Sequence, residues 1–387
     1  MKRNIIIVSR NDLAFSNIAA SARMKNYAKA LSRSKDAVAV YMFSEQNYGS
    51  DVVSMEQGSI FVSQNKSVGH SFAQTVRFVS FLIAFSKRLK GEKIYLFYPS
   101  DNPCLEILFL FVFKIILRRK IFCEINEVRK YSSISIPLSP IKRSVRKLIN
   151  ACMELVKSFY DGLICISLNI SEYFKPRNKN RIIVPILSDS PDVVNLEKKQ
   201  SQILNFSFTG TMSVRKENLV ELINGFCLLD KEYQNWCFNL YGFGSESDKK
   251  ELLDIVEKLQ LSEKIKFRGE VPHNEIYGIL NGADCLILSR ENNKQNYYGF
   301  STKLSEYAVS GTPIIMTDTG VVSLYFKNLD NCIMVEGYDG QAFYKSLKVF
   351  VEMSVEERRK LANNAYATAK RFFDWRDYCD VLNDFLK

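Results

Sequence analysis

Histidine is almost missing from this chain: His70 and His273 are the only two in 387 residues. Paired thiols are missing as well. Nine cysteines occur, scattered singly from Cys104 to Cys379, with no C-x-x-C. A zinc site is therefore not expected, and lone cysteines inside apolar runs read as reduced core thiols of a cytoplasmic protein. Long apolar runs are also lacking. The most apolar stretch, 105–117, is about half of a membrane span and contains Lys114. It reads as a buried helix, and no membrane-spanning anchor is expected. The first apolar run, 5–8, is too short for a signal peptide and reads as a core strand. Acidic residues are scarce in the first half. Residues 1–190 carry 29 Lys and Arg against 14 Asp and Glu, and the remainder carries 24 against 28. The net charge of +11 thus sits in the first half, which favours anionic partners.

What is present is ordinary for a globular protein: 47% hydrophobic and 25% charged residues. The length suits two α/β domains. In the first half, apolar strand-like runs (5–8, 37–43, 93–98, 121–125, 162–167, 181–187) alternate with helical patterns (19–31, 74–89, 105–117, 140–160). The polar stretch 188–205 breaks this rhythm and reads as a connection. The second half repeats the plan, with strands at 206–208, 237–241, 265–267, 283–288, 313–316 and 332–335. Continuous apolar strands separated by helices predict parallel sheets covered on both faces. The expected organisation is a first domain over 1–190 and a second over 203–370. A closing helix over 371–387 is expected to pack back on the first domain. Two doubly wound, Rossmann-like domains would face each other across a cleft, with ligands at the carboxyl ends of the strands.

Four segments of the second half follow strands and so share one sheet edge. The stretch 298–311, Y-G-F-S-T-K-L-S-E-Y-A-V-S-G, lies between two apolar strands. Its residues Gly299 to Thr302 are expected to form the first turn of a helix, whose free amides suit an anion. Glu306, a turn further on, can accept hydrogen bonds from vicinal hydroxyls. Upstream, F-T-G-T-M-S-V-R-K-E-N (208–218) places Arg215 and Lys216 just before a helix, where two cations can neutralise a diphosphate. Y-G-F-G-S (241–245) is a glycine-rich turn, and F-R-G-E-V-P (267–272) leads into another helix. Phosphate and sugar hydroxyls together point to a nucleotide-sugar.

In this order, the segments resemble the nucleotide-sugar domain of the GT-B fold glycosyltransferases, in the large retaining family 4 (glycosyl transferases group 1). The resemblance covers residues 203–370. In the first half it extends only to the alternation and to A-x-x-x-R-M-K-N-Y-A-K-A-L (19–31). It implies that Arg215 and Lys216 hold the diphosphate and stabilise it as leaving group. It implies that the amides of Gly299, Phe300, Ser301 and Thr302 bind the distal phosphate, beside Tyr298 and Lys303, and that Glu306 takes the ribose. Gly210, Gly242, Phe243, Arg268, Gly269 and Val271 complete the expected donor site. No metal and no tightly bound cofactor are implied, and no D-x-D exists to hold a metal; positive charge replaces it.

Three departures stand out. The family pairs Glu306 with a glutamate eight residues earlier, where this chain has Tyr298; Glu291 would need an inserted loop, E-N-N-K-Q-N-Y, to serve. The glycine-rich loop after the first strand is replaced by S-R-N-D-L-A-F-S-N (9–17). The family histidine of the first domain is absent, and Asn126 and Glu127 stand in that region as catalytic candidates, with His70 a weaker one. The acceptor is expected near Ser16, Asn17 and Arg23.

The helix 140–160 carries Lys142, Arg143, Arg146 and Lys147 on one side and Ile141, Val145, Leu148, Cys152, Leu155 and Val156 on another. Two readings stay open: a helix lying on an anionic membrane surface, or a core-packed helix with a basic outer face. Nucleic acid is not expected, because no aromatics interleave with these charges. The function expected is transfer of a sugar from a nucleotide diphosphate to a glycan or lipid-linked glycan in cell-surface polysaccharide synthesis. It would take place in the cytoplasm or on the inner face of the membrane. The alternatives are a nucleotide-sugar epimerase on the same fold and a catalytically degenerate binding subunit.

Overall fold

The computed structural model describes residues 3–9, 19–33, 39–44, 53–56, 59–63, 71–99, 102–132, 139–190, 202–214 and 216–387. Ser16, Asn17, His70 and Arg215 lie outside the described residues. The chain forms two compact units, Met1–Leu187 with Trp375–Lys387, and Ser188–Asp374. The expected boundaries at 190 and 370 move because the start and end of the second unit are tied together. The Ser188 amide donates to the Phe373 carbonyl at 2.7 Å, and Ser188 bridges Asp374.

The first unit is built on eight strands: β1 (Arg3–Val8), β2 (Ala39–Ser44), β3 (Val53–Glu56), β4 (Ser59–Ser63), β5 (Glu92–Phe97), β6 (Lys120–Ile125), β7 (Gly162–Cys165) and β8 (Arg181–Ile183). Their order in the sheet is β3-β4-β2-β1-β5-β6-β7-β8, parallel except for β3 against β4. Every residue of β1 is buried, as a strand covered on both faces requires. One face packs Met24, Tyr27 and Leu31 of the helix Ala19–Ser32 against Ile5, Ile7 and Leu96. Trp375, Leu382 and Leu386 complete that core, so the C-terminal segment belongs to the first unit. Phe385 lies against Phe122, and the closeness of Gly162 is what admits its ring: a Cβ there would meet Phe385 at 2.5 Å.

Two expectations change here. The antiparallel pair β3–β4 was not foreseen, because its short alternating runs carry no long apolar signal. The stretch 105–117 is not one buried helix. It is an α-helix, Pro103–Leu110, capped by Asn102, running into a π-helical segment, Phe111–Ile116. Leu105, Phe109 and Phe113 are buried, whereas Ile107, Phe111, Ile115 and Ile116 are exposed. The cysteines also divide: Cys123, Cys165, Cys285 and Cys332 are buried, but Cys104 and Cys152 are exposed.

The second unit holds six parallel strands: β9 (Leu204–Thr209), β10 (Trp236–Tyr241), β11 (Ile265–Gly269), β12 (Cys285–Leu288), β13 (Ile314–Thr317) and β14 (Ile333–Val335). Their order is β11-β10-β9-β12-β13-β14. The chain winds outward from β9 through β10 to β11, then returns to the other side of β9 as β12. The direction of winding reverses between β9 and β12, and such sheets hold their ligands at this switch point, in the crevice at the carboxyl ends of the strands. One face of the sheet is sealed by Leu222, Phe226, Phe343 and Phe350, the other by Leu304, Tyr307, Ala365 and Phe373.

Candidate donor site

At the carboxyl ends of β9 and β12 the segments 210–214, 216–218 and 289–301 come together: Glu217 bridges Arg290, and the Asn218 amide donates to the Ser289 carbonyl. Gly210 and Gly242, the first residues past β9 and β10, and Gly269, the last of β11, pack backbone on backbone. The Gly210 amide donates to the Tyr241 carbonyl at 2.8 Å, and the Gly242 amide to the Gly269 carbonyl at 2.7 Å. Gly242 has φ +131, and a Cβ there would lie 2.0 Å from the Gly210 carbonyl oxygen. Gly210 has the same φ, and its missing side chain leaves room for the Lys303 stem, which a Cβ would meet at 2.2 Å. These glycines are thus needed to stack three loops, a structural reason that stands independently of any ligand. Around them Phe243 is exposed, Val271 is half-buried, and the exposed Arg268 donates from Nε to Asn239 Oδ1 at 2.7 Å.

The helix expected from Gly299 starts later. A short helix, Lys294–Tyr298, comes first, capped by Asn293 and closed by the Gly299 amide on the Gln295 carbonyl. The Gly299 amide is therefore spent. The donor-side helix is Thr302–Val309, with Ser301 at its N-cap and no side-chain cap bond. The amides of Thr302 and Lys303 have no intrahelical acceptor, as at every helix start. The Ser301 hydroxyl does not cap them; it accepts from Arg290 Nη2 at 3.0 Å. Phe300 packs edge-on to Phe373 and Tyr325, and Tyr298 edge-on to Tyr297.

A buried charge cluster lies directly beside this helix start. Glu217 is almost wholly enclosed and receives Lys303 Nζ at 2.9 Å and Arg290 Nε at 3.3 Å. Burial pushes the Glu217 carboxyl up, but Arg290, Lys303 and Lys216 outweigh it and hold the group below its ordinary value. Burial brings the Lys303 ammonium down to about 8, against the attraction of Glu217. Asn296, also buried, links the pieces: its Nδ2 donates to the carbonyls of Lys216 and Glu291, and its Oδ1 accepts from Arg290 Nη1. The loop E-N-N-K-Q-N-Y is thus an ordered clasp around the Lys216 backbone. Glu306 lies one turn into the helix, where burial lifts its carboxyl to about 7 against the pull of Lys303. Glu217, Arg290 and Asn296 escaped the sequence reading. The signal available was a charged residue just past an apolar strand, Arg290 two residues beyond β12; its partners are remote in sequence.

In the first unit the structure brings Asn126 and Glu127 together at the end of β6. They line a cavity of about 200 Å³ with Tyr98, Arg129, Glu154 and Lys157. Asn126 Nδ2 donates to the Tyr98 hydroxyl at 2.6 Å. Arg23 is not among them. It is 2% exposed, with Nε 2.6 Å from Glu124, and its guanidinium also donates to the Tyr27 hydroxyl and the Val184 carbonyl. The expected acceptor contact is a core ion pair, and burial lifts its Glu124 carboxyl to about 7 despite Arg23.

The helix Pro140–Val156 does not bury its apolar stripe in the core of the unit. Ile141, Leu148 and Leu155 are 78%, 67% and 62% exposed, whereas Met153 and Glu154 on the opposite side are buried. Its apolar stripe points away from the unit. Lys142, Arg143 and Lys147 are exposed beside it. Among the described residues, no three His, Cys, Asp or Glu side chains converge as a metal site, and no helix is long and apolar enough to cross a membrane.

The whole chain takes the GT-B fold. It superposes on sucrose-phosphate synthase from Thermosynechococcus elongatus with a TM-score of 0.74 at 12% identity, covering 99% of this chain and 98% of that one. It superposes on Anabaena Alr3699/HepE, solved in complex with UDP and glucose, with a TM-score of 0.67 at 13% identity, covering 99% and 97%. Residues 204–368 match the family described as Glycosyl transferases group 1. A relative by sequence is the GtfA subunit of the UDP-N-acetylglucosamine–peptide N-acetylglucosaminyltransferase of Streptococcus parasanguinis. It is 26% identical over 189 residues, and the match spans 46% of this chain and 36% of the relative.

Proposed function

We propose that this protein transfers a sugar from a nucleoside diphosphate, a uridine diphosphate in the first instance, to a glycan or lipid-linked glycan, with retention and without a metal ion. The observation that carries the reading is the convergence at the β9/β12 crevice of Lys216, the start of helix 302–309 and Glu306. Helix amides and the lysine ammonium stabilise the departing diphosphate. Glu306 accepts the ribose hydroxyls in its ionised form. Because its carboxyl titrates near 7, donor affinity is expected to rise with pH through that value. As the bond from the anomeric carbon to the phosphate oxygen breaks, the acceptor oxygen bonds to the same face. The acceptor's proton passes to the leaving phosphate. Asn126 and Glu127 are the acceptor-side groups on the first unit.

The test is incubation with a panel of nucleotide sugars, with and without glycan acceptors, followed by NMR of the first product. Transfer with the donor's anomeric configuration kept is the expected result. Inversion would remove the retaining mechanism. A new epimer formed without acceptor would make the protein an epimerase, and donor binding without any turnover would make it a binding subunit.

The acceptor is met, on this reading, at an anionic membrane surface in cell-surface polysaccharide synthesis. What supports this is the outward apolar stripe of helix 140–156, flanked by Lys142, Arg143, Arg146 and Lys147. Such a face gains from insertion at the lipid boundary, and each basic residue near anionic lipid adds about 1 kcal/mol. The protein is expected to float with phosphatidylglycerol vesicles, and less with phosphatidylcholine vesicles or in high salt. Leu148→Ser with Leu155→Ser should weaken the association. Failure to float with anionic vesicles, or equal flotation of this double variant, counts against a membrane role.

A further inference from the structure

The buried cluster beside helix 302–309 contains two cations and one carboxylate. We propose that Glu217 and Arg290 are positioning residues of the donor site: Glu217 gathers Arg290 and Lys303 beside the helix start, and the positive charge left over by the three is matched by the donor's diphosphate. The inference rests on the donor site being where the proposed function puts it. It adds two residues and a proton linkage to that site.

The geometry carries the assignment. Glu217 lies on the loop after β9, Arg290 two residues past β12, and Lys303 in the first turn of the helix, so one carboxylate ties together three segments that meet at the carboxyl ends of these strands. Arg290 reaches further, to the Ser301 hydroxyl at 3.0 Å and Asn296 Oδ1 at 2.9 Å. Its planar fork therefore fixes both the N-cap of the helix and the clasp on the Lys216 backbone, which a lysine could not do. The Lys303 ammonium also lies over the Phe208 ring, 4.0 Å from its centroid. A charge excess in so enclosed a place is costly unless an anion answers it.

The charged groups acting on Lys303 are Glu217, Arg290, Lys216 and Glu306. Glu217 favours the ammonium, as does Glu306 once it is ionised above about 7, where it begins to offset the excess charge; Arg290 and Lys216 oppose it. Lys303 titrates at about 8, so the excess charge is present below that pH and is lost above it. Anion affinity should fall accordingly as pH rises through about 8. Removing Glu217 takes away the attraction that keeps the proton, and moves the fall to lower pH. Removing Arg290 takes away a repulsion, and moves it to higher pH.

The experiment is calorimetric titration with inorganic pyrophosphate from pH 6 to 9 on wild type, Glu217→Gln and Arg290→Gln. Pyrophosphate's own ionisation is common to all three curves, so differences between them belong to the protein. The expected result is a downward displacement of the limb by about one pH unit in Glu217→Gln, giving about tenfold weaker binding near pH 8. Arg290→Gln should bind more weakly overall, with its limb displaced upward. If one variant fails to fold, the displacement in the other decides. Limbs that coincide with wild type, or wild type that binds no pyrophosphate, overturn the inference. Pyrophosphate binding with these displacements, in a protein that accepts no nucleotide sugar, would instead overturn the proposed function and leave the cluster as an anion site.

Discussion

Lys216→Ala is expected to lower turnover with a nucleotide-sugar donor by about 10²–10³-fold, the size seen when one group stabilising developing negative charge is removed. The loss should fall mainly on kcat, because the diphosphate gains charge as the sugar leaves, and only interactions stronger in the transition state act there. The fold should survive. What anchors this part of the loop is its backbone: the Lys216 carbonyl accepts from Asn296, and the neighbouring Asn218 amide donates to the Ser289 carbonyl. Truncating the side chain touches neither bond. Steady-state kinetics alongside a melting curve separates the two effects. A large kcat loss at unchanged melting temperature is expected. Unchanged turnover would remove Lys216 from the site.

Gly242→Ala should have the largest effect on stability. The new methyl carbon would lie 2.0 Å from the Gly210 carbonyl oxygen, a backbone atom that cannot swing aside. The residue also keeps φ at +131, which side-chain-bearing residues rarely adopt. Relieving the clash means breaking the stacked bonds from Gly210 to Tyr241 and from Gly242 to Gly269. Backbone strain alone costs about 1–3 kcal/mol. With the clash added, a loss of about 3 kcal/mol or more is expected. For a domain of this size that corresponds to a fall of roughly 6–12 °C in Tm. Gly278→Ala is the control, because a Cβ there meets nothing within 4 Å. Equal melting temperatures for the two variants would show that the loops are not held as described.

These two residues differ in how legible they were. Lys216 could be read from its neighbours, because a cation in a loop after an apolar strand is a local pattern. The strands of the second unit were legible for the same reason: each is a short apolar run between helical patterns, and its burial follows from covering on both faces. Gly242 was visible, but its reason was not. A glycine in a strand-to-helix turn suits ligand approach and loop stacking alike, and only the distance to Gly210 separates them. The charge cluster was illegible in principle. Glu217, Arg290 and Lys303 are far apart in sequence and meet only because the sheet order sets β9 beside β12. Arg23 misled for a related reason. An arginine on an amphipathic helix reads as exposed, and nothing local announces that Glu124 on β6 waits beneath it. The direction of helix 140–156 was undecidable as well, since its pattern is the same whether the apolar stripe faces inward or outward.

The start of the donor helix was misplaced for a local reason. Gly299 with small hydroxyl residues after it resembles a helix opening, but the same glycine closes the preceding helix Lys294–Tyr298. Helix ends and helix starts draw on overlapping residue types, and Asn293 three residues before Asn296 was the overlooked cap signal. For the proposed donor site the consequence is specific: the helix-start amides left for a phosphate would be those of Thr302 and Lys303.

The central claim is that the β9/β12 crevice binds a nucleoside diphosphate. The most direct measurement is the melting temperature of wild type and Lys216→Ala against UDP, GDP, ADP, CDP and TDP. A ligand bound only by the folded state stabilises it by RT ln(1 + [L]/Kd), about 2.7 kcal/mol at a hundredfold excess over Kd. The account predicts that at least one diphosphate raises the wild-type melting temperature by several degrees and that Lys216→Ala loses most of the shift. No shift with any of the five, or an equal shift in both proteins, would contradict it.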